Sequence, residues 1–203
     1  MLIFSIETSY KSASIACLQD DQILFEYIWQ SLDIGKDFLP YTEFFLKANN
    51  IEIDKFDYFV VSLGPGSWTG IRLAISLSYG LSKGILSKIY GVSSLDSIAY
   101  YLQNTMEGIF IPSNSNTYHY ISFSSIDEII NSHGVFKTGT LEEMIQNFKK
   151  SKIIAGPDKK VCEKFALLKK YTVEIFPKAS LNGLLAKERI IKNIPSTINP
   201  YYV

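Results

Sequence analysis

Little in this chain invites covalent or metal chemistry. It has two cysteines, Cys17 and Cys162, and two histidines, His119 and His133, among 203 residues. The cysteines form no C-x-x-C pair, and each lies in an apolar stretch, so both read as small buried hydrophobes. The histidines stand far apart, without H-E-x-x-H or H-x-x-x-H spacing, which argues against a protein metal site and against an assembled Ser/His/Asp constellation. Net charge is also missing: twenty Lys and Arg balance twenty Asp and Glu. A polyanion needs clustered positive charge, so a nucleic acid would have to be held mostly by a partner. No apolar run approaches the length of a membrane span, and the first residues lack a basic leader followed by an apolar core. The expected compartment is the cytoplasm, with no membrane partner.

What is present is an ordinary globular composition, 47% apolar and 20% charged, long enough for one large or two small domains. Residues 1–6, 14–18 and 23–29 read as three strands with short connections, an antiparallel meander. The period then changes. Residues 37–49 read as a helix, 58–63 as a buried strand, 64–70 as a glycine-rich loop and 69–86 as a long helix. Residues 89–92 form a strand, and a helix follows to about 103. Strands alternating with helices imply parallel pairing. The second half reads less sharply. Strands are expected at 109–112, 118–123, 152–155 and 172–176, helices at 141–150, 158–168 and 180–192, and a hairpin turn at Asn114-Ser115-Asn116. The expected division is 1–104 for a first domain and 105–203 for a smaller, divergent second one.

Two motifs could carry chemistry. The first strand ends in Glu7-Thr8-Ser9, where a carboxylate could orient a hydrated cation and hydroxyls face a phosphate; a plain strand-end turn is the competing reading. The second motif is Gly64-Pro65-Gly66-Ser67-Trp68-Thr69-Gly70, between a buried strand and a helix. Glycines permit close backbone approach and a helix start favours an anion, yet the same residues also make a purely structural tight turn. The string is neither a Walker A loop nor the G-x-G-x-x-G fingerprint. A third feature is excess apolar surface on two helices. On the 69–86 helix, Ile71, Ile75, Leu81 and Ile85 make one stripe, and Leu73, Leu77, Gly80 and Gly84 a second. The earlier helix carries Phe38, Tyr41, Phe44, Phe45 and Leu46. A surface helix needs one apolar stripe, so the second stripe points either to a partner chain or to cover from elsewhere in the protein.

These residues resemble a known family. Ile6-Glu7-Thr8-Ser9, Phe38-Leu39-Pro40, and above all Ser62-Leu63-Gly64-Pro65-Gly66-Ser67-Trp68-Thr69-Gly70-Ile71-Arg72, are similar to the TsaB (YeaZ) family, once grouped with M22 glycoprotease-like peptidases. Gly91-Val92-Ser93-Ser94-Leu95 with Ala99 continues the match, and Asn199-Pro200-Tyr201-Tyr202-Val203 resembles the family's closing Pro-x-Tyr signature.

The resemblance implies an α/β fold of the actin, Hsp70 and sugar-kinase superfamily (ribonuclease-H-like), with two domains of mixed sheet and flanking helices, the second reduced. It implies a non-catalytic scaffold that binds TsaD, with TsaE joining, in the complex that forms threonylcarbamoyl-adenosine beside the tRNA anticodon. Contact with tRNA would be indirect, and the same face could form a homodimer in isolation. Phe38, Tyr41, Phe45, Ile71, Leu73 and Leu77 are the expected partner-binding residues. Glu7, Thr8, Ser9, Gly64, Gly66, Ser67, Thr69, Gly70 and Arg72 would be a phosphate loop if one exists, with Arg72 pinning the loop or touching a nucleotide. No catalytic residue, metal or own cofactor is expected; a nucleotide with magnesium would belong to a complex interface. Three departures from the family pattern weaken nucleotide binding within the chain: Glu7 in place of Asp, no His in residues 34–37, and Pro112-Ser113-Asn114 in place of Asp-Ala-Arg. The alternative function is a small ATPase or kinase of the same superfold.

Overall fold

The computed structural model describes residues 1–31, 33–85, 87–103, 107–113, 116–132 and 134–201. Several sequence expectations fall outside them: Leu86 at the end of the long helix, residues 104–106 at the domain division, Asn114 and Ser115 of the hairpin turn, His133, and Tyr202-Val203.

The first sheet contains β1 (Leu2–Glu7), β2 (Ala13–Gln19), β3 (Gln22–Trp29), β4 (Tyr58–Ser62) and β5 (Lys88–Val92), in the order β3-β2-β1-β4-β5. The first three strands pair antiparallel, as short connections dictate, and β4 and β5 join in parallel through helical crossovers. Helices α1 (Ile34–Ala48), α2 (Trp68–Ser82) and α3 (Ser94–Leu102) belong to this half of the sequence. The second half repeats the plan. It contains β6 (Glu107–Pro112), β7 (Tyr118–Phe123), α4 (Ile126–Asn131), β8 (Lys137–Gly139), α5 (Leu141–Asn147), β9 (Ile153–Gly156), α6 (Lys159–Leu167), β10 (Tyr171–Glu174) and α7 (Ala179–Ile191). Its sheet runs β8-β7-β6-β9-β10, the same order with the same strand directions. Two copies of this mixed sheet with flanking helices make the two-part α/β plan that the resemblance implied. The last strands of the second copy are shorter, at three to four residues.

Strand alternation decides which side chains meet which helices. From β1, Phe4 and Ile6 point into a core with Phe38 and Leu46 of α1 and Ala74 of α2. Ile3 faces the opposite way, with Ala16, Val60 and Val92, against Leu185 and Ala186 of α7. The C-terminal helix therefore closes the first sheet. Conversely, α3 packs Leu95, Ile98 and Ala99 onto Ile109, Ile111 and Phe123 of the second sheet. Helices α5 and α6 cover that sheet's other face through Met144, Val161 and Phe165, with Phe148 from the turn after α5. The halves thus exchange one helix each.

The exchange is fastened by polar groups. The first N–H groups of α7 lack intrahelical partners and are taken by the first sheet: Ala179 donates to Ser14 Oγ at 2.8 Å and Ser180 to the Glu26 carboxylate at 2.9 Å. Near its other end, Arg189 pairs with Asp96 of α3 at 2.9 Å, both fully or nearly buried.

The expected elements differ from the observed ones in four places. Helix α1 starts at Ile34, three residues early, because Asp33 caps it by accepting from Lys36 N–H at 3.2 Å. Pro40 consequently lies inside the helix, beyond its first turn. Helix α2 stops at Ser82, and Gly84, at φ +94°, lies past its end. The 141–150 helix is α5 followed by a single 3-10 turn at Phe148–Lys150. Helix α4 and strand β8 were not anticipated, being too short to show a period.

Candidate functional site

Glu7 ends β1 with its side chain completely buried. Its Oε1 accepts the Ser9 N–H at 2.6 Å, and its Oε2 accepts from Ser94 Oγ at 3.2 Å and Asn182 Nδ2 at 3.1 Å. The Ser94 hydroxyl lies 2.6 Å from Ser62 Oγ and 3.0 Å from Ser9 Oγ. A buried carboxylate needs such partners, since desolvation without them is costly. Segments from β1, α3 and α7 meet at this carboxyl group, and β4 joins them one step out, through Ser62 on Ser94. Glu7 therefore joins protein to protein, which corrects the expectation that it orients a hydrated cation.

The glycine loop rests directly on the turn after β1. Ser67 N–H donates to the Ser9 carbonyl at 2.6 Å, and Thr8 Oγ1 donates to the Gly70 carbonyl at 2.6 Å. A Cβ on Gly66 would come within 2.1 Å of Ser9 O, and one on Gly70 within 1.8 Å of Thr8 O. Backbone contact is what demands glycine here. Ser67 Oγ caps α2 by accepting the Gly70 N–H at 3.2 Å. Of the two readings the sequence left open, the tight structural turn accounts for Glu7, Thr8, Ser9, Gly66, Ser67 and Gly70. Gly64 bends the chain at φ +90° and its carbonyl accepts the Ser94 N–H at 2.9 Å, tying the loop to α3. Thr69 is exposed on the first turn of α2. Arg72 lies with its guanidinium carbon 4.4 Å from the Trp68 ring centre, so it braces the loop's exit from outside.

Beside the loop a cleft of about 670 Å³ opens between the halves, lined by Tyr10, Lys11, Ser67, Trp68, Pro112 and Ser113. Burial and the nearby carboxylates Asp158 and Glu174 raise the Tyr10 pKa. Among the described residues no three His, Cys, Asp or Glu side chains gather to hold a metal. His119 is buried, lies 2.9 Å from Thr138 Oγ1 and packs on Phe136; burial lowers its pKa. The thiols are buried, with burial pushing Cys17 up to about 12 and Cys162 up to about 11, which leaves little thiolate.

The expected partner residues divide. Phe38 and Ile71, at 0% and 1% exposure, belong to the core and offer no surface, a correction to their assignment. Tyr41, Phe45 and Leu77 are half-buried at the margin of that core, and Leu73 is half-buried on α2. The outer surface comes instead from Leu39 (51% exposed) and Phe44 (61%) on α1, with Tyr79 (54%) on α2. Sequence periodicity could have found Phe44, which sits opposite the Phe38–Thr42–Leu46 stripe, whereas Leu39 lies beside that stripe and shows no such signal. The two helices are neighbours: a Cβ on Gly35 would lie 3.7 Å from Leu73. Gly80 faces open space, with nothing within 4 Å of where its Cβ would be. A groove of about 350 Å³ among Tyr27, Pro40, Tyr41, Phe44 and Phe45 continues this apolar surface toward β3.

The family model described as TsaD: tRNA N6-adenosine threonylcarbamoyltransferase matches residues 35–147. The TsaB tRNA threonylcarbamoyladenosine biosynthesis protein of Bacillus subtilis is 31% identical over 100 residues, 49% of this chain and 44% of that protein. Its Escherichia coli namesake is 26% identical over 99 residues, 49% of this chain and 43% of that one. The chain spans about half the length of the curated relatives it matches. YeaZ from Pseudomonas aeruginosa superimposes with a TM-score of 0.72 at 16% identity over 100% of both chains, a likeness of fold. No helix among the described residues is long and apolar enough to cross a membrane.

Proposed function

The chain belongs to the family of the TsaD model, as a TsaB (YeaZ) type member, and from that premise we propose that it is a non-catalytic subunit of the machinery that makes threonylcarbamoyl-adenosine on tRNA. It docks onto TsaD through the outer surface of α1 and α2 and biases TsaD toward its active arrangement, by preferring one of two states. TsaE joins the pair, tRNA is held mainly by the partners, and the complex works in the cytoplasm. In the absence of TsaD the same face pairs two copies of this chain. Any nucleotide and magnesium taking part sit at the surface shared with the partner.

The observation that supports this most is the exposure of Leu39 and Phe44 on α1 and of Tyr79 on α2, where Gly80 faces open space. Side chains of this size left in water on adjacent helices suit a protein interface. The ATPase alternative finds little support, because Glu7 and the loop's Ser67 N–H are spent on the protein itself.

The test is size-exclusion chromatography with light scattering, on this chain and TsaD from the same source. The natural chain should form a one-to-one complex. A Leu39→Glu, Gly80→Glu double variant should melt like the natural chain, within about 0.5 kcal/mol for exposed positions, and lose the complex. Retained binding by that variant would move the docking surface elsewhere. Absence of any complex with the natural chain would overturn the scaffold reading.

A further inference from the structure

Residues 194–201 form a strap across the free edge of β5. Tyr90 donates its hydroxyl to the Ile194 carbonyl at 2.8 Å. The Gly91 N–H donates to Ser196 Oγ at 2.8 Å, and that hydroxyl donates back to the Gly91 carbonyl at 2.9 Å. Further on, the Tyr201 N–H reaches the Leu63 carbonyl at 2.9 Å. The strap bounds a cavity of about 340 Å³, whose lining includes Tyr90, Ser132, Arg189, Thr197, Asn199 and Tyr201.

Arg189 is the unusual member, a guanidinium only 4% exposed. Nε donates to the Ile130 carbonyl at 2.8 Å, and Nη2 to the Ile129 carbonyl and to Asp96 Oδ2, both at 2.9 Å. Asp96 Oδ1 accepts the Ser132 hydroxyl instead, at 3.2 Å. The ion pair is therefore one-pronged. Nη1 donates to nothing among the described residues, yet it is not one of the polar atoms sealed into the core. A buried arginine with half its fork unspent is costly unless something fills the gap. Thr197 and Asn199, exposed on the strap, border the same cavity and likewise make no hydrogen bond among the described residues. A guanidinium prong, a hydroxyl and an amide are all donors, and they suit an acceptor with several oxygens.

We propose that the cavity beneath the 194–201 strap is a binding site for a small oxyanion, a carboxylate or a phosphate group, held by Arg189 Nη1 with Thr197 and Asn199. Asp96 offsets part of the arginine charge from the other prong, so affinity comes from the fork and the two strap donors together. The site lies apart from the α1–α2 surface and does not depend on it.

The test uses the full chain alone, titrated with inorganic phosphate and separately with acetate, against chloride at equal ionic strength, following the melting temperature and the heat of binding. At least one of the two anions should give a saturable rise beyond chloride. Phosphate alone would identify a phosphate-bearing ligand, acetate alone a carboxylate, and either supports the site. A Thr197→Ala, Asn199→Ala double variant, altered only at exposed strap positions, should melt normally without ligand and bind about tenfold more weakly. Arg189→Lys should abolish the saturable rise while keeping the charge. If neither anion exceeds chloride, the cavity holds water only. If the double variant responds like the natural chain, the anion binds elsewhere. Either result overturns the proposal.

Discussion

In the first sheet the turn after β1 and the loop after β4 are locked together, through Ser67 N–H on the Ser9 carbonyl and Thr8 Oγ1 on the Gly70 carbonyl. The second sheet has the same strand order but handles the same junction with less. There β6 ends in Pro112, which has no N–H to give, and β9 ends in Gly156, where a Cβ would come within 2.5 Å of the Phe110 carbonyl. Asp158 then caps α6 by accepting the Val161 N–H at 3.2 Å, as Ser67 caps α2. Close backbone approach and a capped helix therefore recur in both copies and belong to the architecture. The buried carboxylate at the strand's end has no counterpart at Pro112; the second sheet's own buried carboxylate, Glu107, lies at the start of β6 instead. Since Glu7 receives donors from both exchanged helices, through Ser94 of α3 and Asn182 of α7, its work is to join the halves.

That contrast can be broken most severely at the clasp between the exchanged helices. Asp96→Ala strands the Arg189 charge in the core, and removing one partner of a buried pair costs about 3–5 kcal/mol. For a domain of this size the melting temperature should fall by roughly 10 °C or more, and a change within measurement error would show that the clasp is dispensable. Glu7→Ala should cost less, about 2–3 kcal/mol, by leaving buried donors unpaired. The matching change in the second copy, Pro112→Ala, should stay within about 0.5 kcal/mol. Equal losses at the two positions, by chemical denaturation, would erase the distinction drawn between the copies.

The smallest effect is one of pH. Burial lowers the His119 pKa below its ordinary value of 6.5. The unfolded chain then takes up the proton at higher pH than the folded one, so stability falls as pH drops below about 6.5 and recovers above it. His119→Gln should lose less melting temperature than the natural chain between pH 7.5 and 5.5; parallel curves would count against the assignment.

The sequence made the first sheet legible because its strands are apolar runs with clear stops, and the 64–70 loop sits between a strand and a helix as placed. It could not decide why the glycines are there, since backbone contact and ligand contact demand the same residue. Phe38 and Ile71 were misassigned for a related reason: an apolar stripe does not reveal which of its faces meets the sheet, and here the α1 and α2 faces carrying them turn inward. Helix α4 and strand β8, at six and three residues, fall below the length at which a period can be seen. The clasp was invisible because Asp96 and Arg189 come from opposite halves of the chain and each looks like an ordinary surface charge in its own helix.

The helix exchange also sets a schedule for synthesis. The strands of the first sheet are complete once residue 92 has been made, but the helix that covers one of its faces ends at Ile191. At roughly 5–20 residues per second, Ile3, Ala16, Val60 and Val92 wait for several seconds on the ribosome without their lid. Until then that face stays uncovered, and neither half, expressed alone, would carry a finished core.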